Sequence, residues 1–149
     1  MEITQEWLFE ETKVFLAEGK KVILRVKGNS MNPYLRTGKD VVVLSPVVGD
    51  EDLQTGVIVL FTYRDRYILH RIIGRQGDKY VIRGDGVCKG KEIVPRNDIL
   101  AVVHSVIRPG GKEVFVESRS ARFYLLLWRA LYPVRKPLLL FLRYVIKRK

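Results

Sequence analysis

Three polar residues in this chain have the types and the order of a hydrolytic site. Ser30 lies in the run Gly-Asn-Ser-Met-Asn-Pro at residues 28–33, and His70 and then Asp85 follow it along the chain. A serine hydroxyl attacks a carbonyl carbon when a nearby base accepts its proton and a third group orients that base. Imidazole suits the base because its ordinary pKa lies near neutral pH. The pattern therefore indicates Ser30 as nucleophile and His70 as general base, and Asp85 could hold the imidazole tautomer.

The neighbours of Ser30 are candidates for binding the substrate and its oxyanion. Gly28 would allow a substrate backbone to approach closely, and Asn29 lies between it and the serine. The turn that Pro33 favours would leave the Ser30 amide pointing at an incoming carbonyl oxygen. Met31 would fill an apolar pocket beneath the substrate. A serine in such a run is also compatible with an ordinary turn.

The elements that would position these residues are mostly β-strands. Runs rich in Val, Ile and Tyr, separated by turn residues, predict strands over residues 21–27, 40–44, 57–63, 67–73, 79–83, 99–107 and 113–116. A helix is predicted over residues 5–18, with Thr4 as its N-cap, so that the helical region covers residues 4–18. We expect a mainly β fold with a coiled, antiparallel, barrel-like sheet. On the strand over 67–73, His70 and Ile68 would share one face, and Leu69 and Arg71 the other.

The charge is concentrated at one end of the sequence. The chain of 149 residues has a formal net charge of +11, and all 16 acidic residues lie at or before Glu117. Residues 119–149 contain only basic charges, so the preceding part is nearly neutral. The high isoelectric point therefore indicates a basic tail rather than a nucleic-acid-binding domain.

The tail has the pattern of two amphipathic helices. Pro133 and Pro137 bracket a predicted break at residues 134–136, and each side carries a basic stripe on an otherwise apolar surface. This pattern favours peripheral contact with an anionic membrane through residues 119–149. Contact with the domain or with a partner protein is the alternative, and nucleic acid is the least favoured partner. We expect a catalytic domain over residues 1–117 and a helical appendage over residues 118–149.

Composition excludes several other classes of protein. Apolar residues make up 47% of the sequence, which argues for one folded domain. A single cysteine, Cys88, excludes an internal disulfide framework and a cysteine-based zinc site, and we expect neither metal nor cofactor. The N-terminus has neither the pattern of a cleavable signal peptide nor that of a transmembrane anchor. We expect a membrane-associated or cytoplasmic location.

Three segments together resemble one enzyme superfamily. Residues 28–40, Gly-Asn-Ser-Met-Asn-Pro-Tyr-Leu-Arg-Thr-Gly-Lys-Asp, resemble the nucleophile box of the type I signal peptidase and LexA-type serine peptidase superfamily. His-Arg-Ile at residues 70–72 is similar to the next box, where the endoplasmic-reticulum and archaeal-type signal peptidases have histidine and other branches have lysine. Gly-Asp-Gly at residues 84–86 resembles the Gly-Asp-Asn box that follows. The resemblance covers about residues 22–107.

This resemblance implies a β-rich serine endopeptidase that cleaves a leader or signal segment of a peptide or small protein. It implies Ser30 as nucleophile, His70 as general base, Asp85 as orienting acid and the Ser30 amide as an oxyanion donor. Gly86 departs from the asparagine of the family box. A non-catalytic peptide-binding module and a LexA-type regulatory domain on the same fold are the alternatives.

Five further titratable residues are weaker candidates for the site. Asp98 is a fallback acid, and His104 and Cys88 are interpreted as structural. Lys27 and Lys79 would be candidate bases in a lysine-type enzyme, but His70 occupies the matching position.

Overall fold

The fold is an antiparallel β-sheet with helices at both ends of the chain. A computed structural model describes residues 6–26, 28–87, 90–116 and 118–148. The helices within these ranges are α1 (Glu6–Ala17), α2 (Arg119–Ala130) and α3 (Arg135–Arg148). The strands are β1 (Val22–Arg25), β2 (Val41–Pro46), β3 (Ile58–Tyr63), β4 (Arg66–Gln76), β5 (Lys79–Arg83), β6 (Glu92–Pro95), β7 (Ile99–Ile107) and β8 (Glu113–Phe115). Short 3₁₀ helices cover Asp50–Asp52, Arg96–Asp98 and Tyr132–Val134.

The eight strands form one open sheet. Their order is β1-β2-β7-β3-β4-β5-β6, and β8 pairs with the end of β7. The long strand β7 pairs with β2 on one side, and with β3 and then β8 on the other. Because β1 and β6 end the strand order, the described sheet is not closed. The mainly β, antiparallel expectation is confirmed, and a closed barrel is not observed.

Irregular pairing bends the sheet at three places. The register shifts between Val43 and Leu44 in β2, between Leu60 and Phe61 in β3, and between residues 72 and 74 in β4. Such shifts bend a strand and increase its twist. The buried side chains accordingly form two apolar clusters, one including Leu60 and Leu69 and the other Phe61 and Ile72. Neighbouring residues of β3 thus enter different clusters, as the alternation of a strand requires.

The predicted strands match the observed ones closely, with one exception. Strands at residues 79–83 and 99–107 have the predicted bounds, and the other five predicted runs overlap observed strands. Strand β6 was not predicted as a separate element. Its four residues pair with β5, so that Glu92 lies opposite Ile82. This short strand matters because it supplies a side chain to the candidate site.

The helices also agree with the sequence pattern, apart from one boundary. Helix α1 matches the predicted helix, whereas its predicted cap Thr4 lies outside the described residues. The predicted interruption of the tail is shifted, because α3 already begins at Arg135. Pro137 is accommodated in the first turn of α3, where backbone N–H groups have no intrahelical partner. None of the described helices combines the length and the apolar character needed to cross a membrane.

Candidate active site

Ser30 lies in a turn between β1 and β2. Gly28 has a φ of 85°, a left-handed conformation that glycine adopts readily, and its N–H donates to Thr37 Oγ1 at 3.0 Å. The Asn32 N–H donates to the Asn29 carbonyl oxygen at 3.1 Å, which closes a tight turn around the serine. Ser30 itself is half-buried. The predicted nucleophile is therefore held on a defined turn.

The predicted substrate-binding residues differ in their exposure. Gly28 and Asn29 are exposed and Pro33 is half-buried, and the peptide bond before Pro33 is cis. Met31 is buried in the core, and its sulfur accepts the Asp85 N–H at 3.4 Å. Met31 thus links the Ser30 turn to the segment around Asp85.

The turn at residues 84–86 touches both Ser30 and His70. The Gly86 N–H donates to the Ser30 carbonyl oxygen at 2.7 Å. A Cβ at Gly84 would collide with that same oxygen and would lie 2.9 Å from His70 Nε2. Glycine is therefore required at position 84, because a larger residue would separate these groups. The Nε2 edge of His70 and the backbone of Ser30 meet at this turn.

His70 is buried on β4, opposite Val59 of β3. Its Nδ1 atom lies 3.0 Å from Glu92 Oε1. Neither ring nitrogen has a hydrogen-bond partner in the described structure, so this contact is an ion-pair approach only. The Phe61 ring, with its centroid 6.0 Å from that of His70, forms an apolar wall. His70 thus has a carboxylate at one nitrogen and the Ser30 turn near the other.

Asp85 binds Arg71. The Arg71 guanidinium donates from Nε and Nη2 to the two carboxylate oxygens of Asp85, both at 2.8 Å, and from Nη1 to the Gly56 carbonyl oxygen at 2.8 Å. Both side chains of the ion pair are buried. Burial lowers the pKa of Arg71, but the charge and hydrogen bonds of Asp85 outweigh this effect and raise it above its ordinary value. The pair is a fixed, doubly hydrogen-bonded element beneath the turn.

Strand alternation explains why Asp85 binds Arg71 rather than His70. Consecutive residues of a strand point to opposite faces, so His70 and Arg71 diverge. The turn after β5 reaches both, with Gly84 beside His70 and Asp85 beside Arg71. Asp85 was predicted to orient His70, but the described structure shows no contact between these two residues. The carboxylate that faces His70 belongs to Glu92.

Glu92 was missed because β6 was not recognised. The sequence signal is short: Glu-Ile-Val-Pro at residues 92–95, after a turn and opposite the predicted strand at 79–83. Antiparallel pairing of such a run with β5 places residue 92 near the end of β5, next to the strand that carries His70. Recognition of a four-residue strand would have made Glu92 a candidate.

Helix α2 packs directly on the candidate site. The Tyr124 hydroxyl donates to Asp85 Oδ2 at 3.0 Å, and the Trp128 indole N–H donates to the Asp85 carbonyl oxygen at 3.2 Å. The Arg71 guanidinium lies over the Tyr34 and Tyr124 rings, 5.1 and 5.7 Å from their centroids. The inner face of the basic tail is thus part of the framework that holds residues 84–86.

The remaining candidates make contacts elsewhere or cannot be placed. The Asp98 carbonyl oxygen accepts from Thr62, the His104 ring packs edge-on against Phe115, and Lys79 is an exposed residue of β5. Lys27 and Cys88 lie outside the described residues. Within the described ranges, His, Cys, Asp and Glu side chains do not gather in threes as a metal site would require.

No protein-family model matches the chain, and the search of curated proteins gave no significant match.

Proposed function

We propose that this chain is a serine endopeptidase of the signal-peptidase-like type, cleaving a leader or signal segment of a peptide or small protein. The Ser30 hydroxyl attacks the scissile carbonyl while His70 accepts its proton. His70 then donates that proton to the leaving amine, and water releases the acyl group from Ser30. The Ser30 backbone amide stabilises the oxyanion.

The position of His70 is the observation that carries this proposal. Its Nδ1 lies 3.0 Å from Glu92 Oε1, and its Nε2 lies beside Gly84, which contacts the Ser30 backbone. Serine hydrolases place the base between a carboxylate and the nucleophile. Here the carboxylate lies at Nδ1 and the backbone of the Ser30 turn lies near Nε2, without a hydrogen bond from the Ser30 hydroxyl to Nε2 in the described part of the chain. We assign Glu92 the part of stabilising the imidazolium that forms when His70 accepts the proton.

The surroundings of His70 favour catalysis over a purely structural role. A buried polar atom normally has a hydrogen-bond partner, whereas both ring nitrogens lack one in the described structure. A substrate hydroxyl or amine could be the hydrogen-bond partner of Nε2. A small shift of the Glu92 side chain would give Nδ1 a hydrogen bond as well. The buried ion pair of Arg71 with Asp85 keeps the adjacent turn in place.

We also propose that the sheet has the fold of the signal-peptidase and LexA-type superfamily. An open antiparallel sheet bent at three register shifts suits the coiled sheet of the signal-peptidase and LexA-type superfamily. The motif order along the chain, with serine before histidine and histidine before Gly-Asp, also supports it.

A non-catalytic peptide-binding module is the second candidate, favoured by the position of β6. This strand ends the described sheet order, and it carries Glu92 next to His70. An extended peptide could therefore add to its free edge through main-chain hydrogen bonds. Binding without cleavage would distinguish this function from that of an endopeptidase.

Incubation with a peptide library, followed by mass spectrometry of newly formed ends, tests the proposal. We expect cleavage at a restricted set of sequences by the unaltered chain, and loss of cleavage in Ser30→Ala and His70→Ala. Ser45→Ala and His104→Gln are matched controls, because these residues lie on β2 and on β7, outside the Ser30 and Asp85 turns. Unchanged cleavage in Ser30→Ala would refute the proposal, and binding of library peptides without any cleavage would favour the second candidate.

A further inference from the structure

Helix α2 has two apolar faces, and the sheet covers only one of them. At about 100° per residue, Tyr124, Leu125 and Trp128 share the face turned toward the domain. Tyr124 and Trp128 bind Asp85 there, and the Leu125 side chain lies against Gly56. Phe123, Leu126 and Leu127 project from the other side. A helix that is apolar on both sides normally has both sides covered.

Helix α3 repeats this division. Leu139 is buried, whereas Leu140, Phe141 and Tyr144 are exposed. We call the exposed apolar residues of the two helices the outer α2–α3 surface; it comprises Phe123, Leu126, Leu127, Leu140, Phe141 and Tyr144. Each of these side chains is between 47% and 67% exposed. Several large apolar side chains exposed on two consecutive helices usually mark an interaction surface.

The charges carried by the two helices themselves are all of one sign. Residues 118–148 contain no acidic residue, and the exposed cations on the two helices include Arg119, Arg122, Arg129 and Lys136. Their partner must therefore combine negative charge with an apolar phase. Nucleic acid supplies the charge but leaves the leucines in water, and a second copy of the chain would bring cations against cations.

We propose that the outer α2–α3 surface docks on an anionic lipid bilayer. Its apolar side chains enter the boundary between headgroups and acyl chains, and the flanking cations meet lipid phosphates. This inference does not depend on the proposed peptidase activity. Because the inner face of α2 binds Asp85, docking would hold the turn at residues 84–86 about one helix diameter, ~10 Å, from the lipid.

Co-sedimentation with lipid vesicles tests this surface. We use vesicles of phosphatidylcholine alone and of phosphatidylcholine mixed with phosphatidylglycerol. The unaltered chain is expected to bind the mixed vesicles at least about tenfold more tightly than the neutral ones. The triple variant Phe123→Ser, Leu126→Ser, Phe141→Ser should lose about tenfold or more in binding to the mixed vesicles. Replacement of Arg119, Arg122 and Arg129 by Gln should abolish the preference for anionic lipid.

A matched control replaces exposed apolar residues outside the surface. Ile23→Ser with Val48→Ser removes two exposed side chains from the sheet domain and should leave vesicle binding unchanged. Circular dichroism and cleavage of a soluble library peptide report separately on folding and on the proposed activity. Equal binding to both vesicle types, no binding to either, or an equal loss in the control would overturn the proposal. The proposal would also be overturned if the chain did not bind vesicles but formed a concentration-dependent dimer, or bound duplex DNA, and the triple variant abolished that interaction.

Discussion

At the residue scale, two carboxylates lie near the candidate site, and only one of them faces His70. Glu92 Oε1 lies 3.0 Å from Nδ1, whereas both Asp85 oxygens accept hydrogen bonds from Arg71. The two acids should therefore have separable effects. Loss of Glu92 should change the chemistry, and loss of Asp85 should change the stability of the fold.

We expect Glu92→Gln to lower kcat/KM for a cleaved library peptide by roughly 10²-fold or more, because the imidazolium loses its carboxylate partner. Its free energy of unfolding, measured in urea, should change by less than about 1 kcal/mol, since the glutamate is partly exposed. Asp85→Asn should instead lower that free energy by about 3–5 kcal/mol, because it leaves the buried Arg71 charge unpaired. A full loss of activity in folded Asp85→Asn with normal activity in Glu92→Gln would reverse the assignment.

Tyr34 gives a prediction about stability and pH. Its hydroxyl is buried without a hydrogen-bond partner in the described structure, and burial raises its pKa, although Arg71 and Arg108 oppose this effect. Tyr34→Phe keeps the ring and removes the unpaired hydroxyl, so it should stabilise the chain by about 1 kcal/mol at neutral pH.

The same variant should respond differently to alkali. A raised folded-state pKa means that the folded chain holds the phenol proton more tightly than the unfolded chain does. The resulting stability is present below the ordinary pKa of about 10 and is lost as pH rises toward the folded-state value. Urea unfolding across this range should show a shallower loss in Tyr34→Phe. A variant destabilised by more than about 1 kcal/mol at neutral pH would show that the hydroxyl has a partner.

At the element scale, the sequence prediction differs from the structure at strand β6 and at the turn over residues 84–86. Strands with Val, Ile and Tyr runs were predicted because their local pattern is strong, but β6 has only four residues and ends in Pro95. Because β6 was not predicted, Glu92 was not recognised as a candidate site residue. Asp85 was linked to His70 by order along the chain, and only the alternation of β4 and the path of the following turn show that it meets Arg71.

Helix α2 is expected to stabilise the site through Asp85. Tyr124→Phe retains the ring but removes the hydroxyl that donates to Asp85 Oδ2, so the free energy of unfolding should fall by about 1.5–3 kcal/mol. Phe123→Leu is the control, since this neighbouring side chain is exposed, and it should change that energy by no more than about 0.5 kcal/mol. Equal effects of the two substitutions in urea unfolding would show that α2 is not held through Asp85.

At the scale of the whole molecule, the chain divides into a nearly neutral sheet domain and a basic helical end. The sequence predicts this division, because charge counts and helical periodicity do not depend on tertiary contacts. It could not show that α2 has an inner face bound to the sheet domain. That contact joins Trp128 to Asp85 across 43 positions of the chain, and no local pattern encodes such a pairing.

The central claim is that Ser30 and His70 act as one catalytic unit. Its most direct test compares cleavage of one library peptide by Ser30→Ala, His70→Ala and the double variant. Residues that act together are strongly non-additive, so each single variant should lose about 10⁴-fold or more in kcat, and the double variant should lose little beyond that. Near-normal cleavage by either single variant, or losses that multiply in the double variant, would contradict the account.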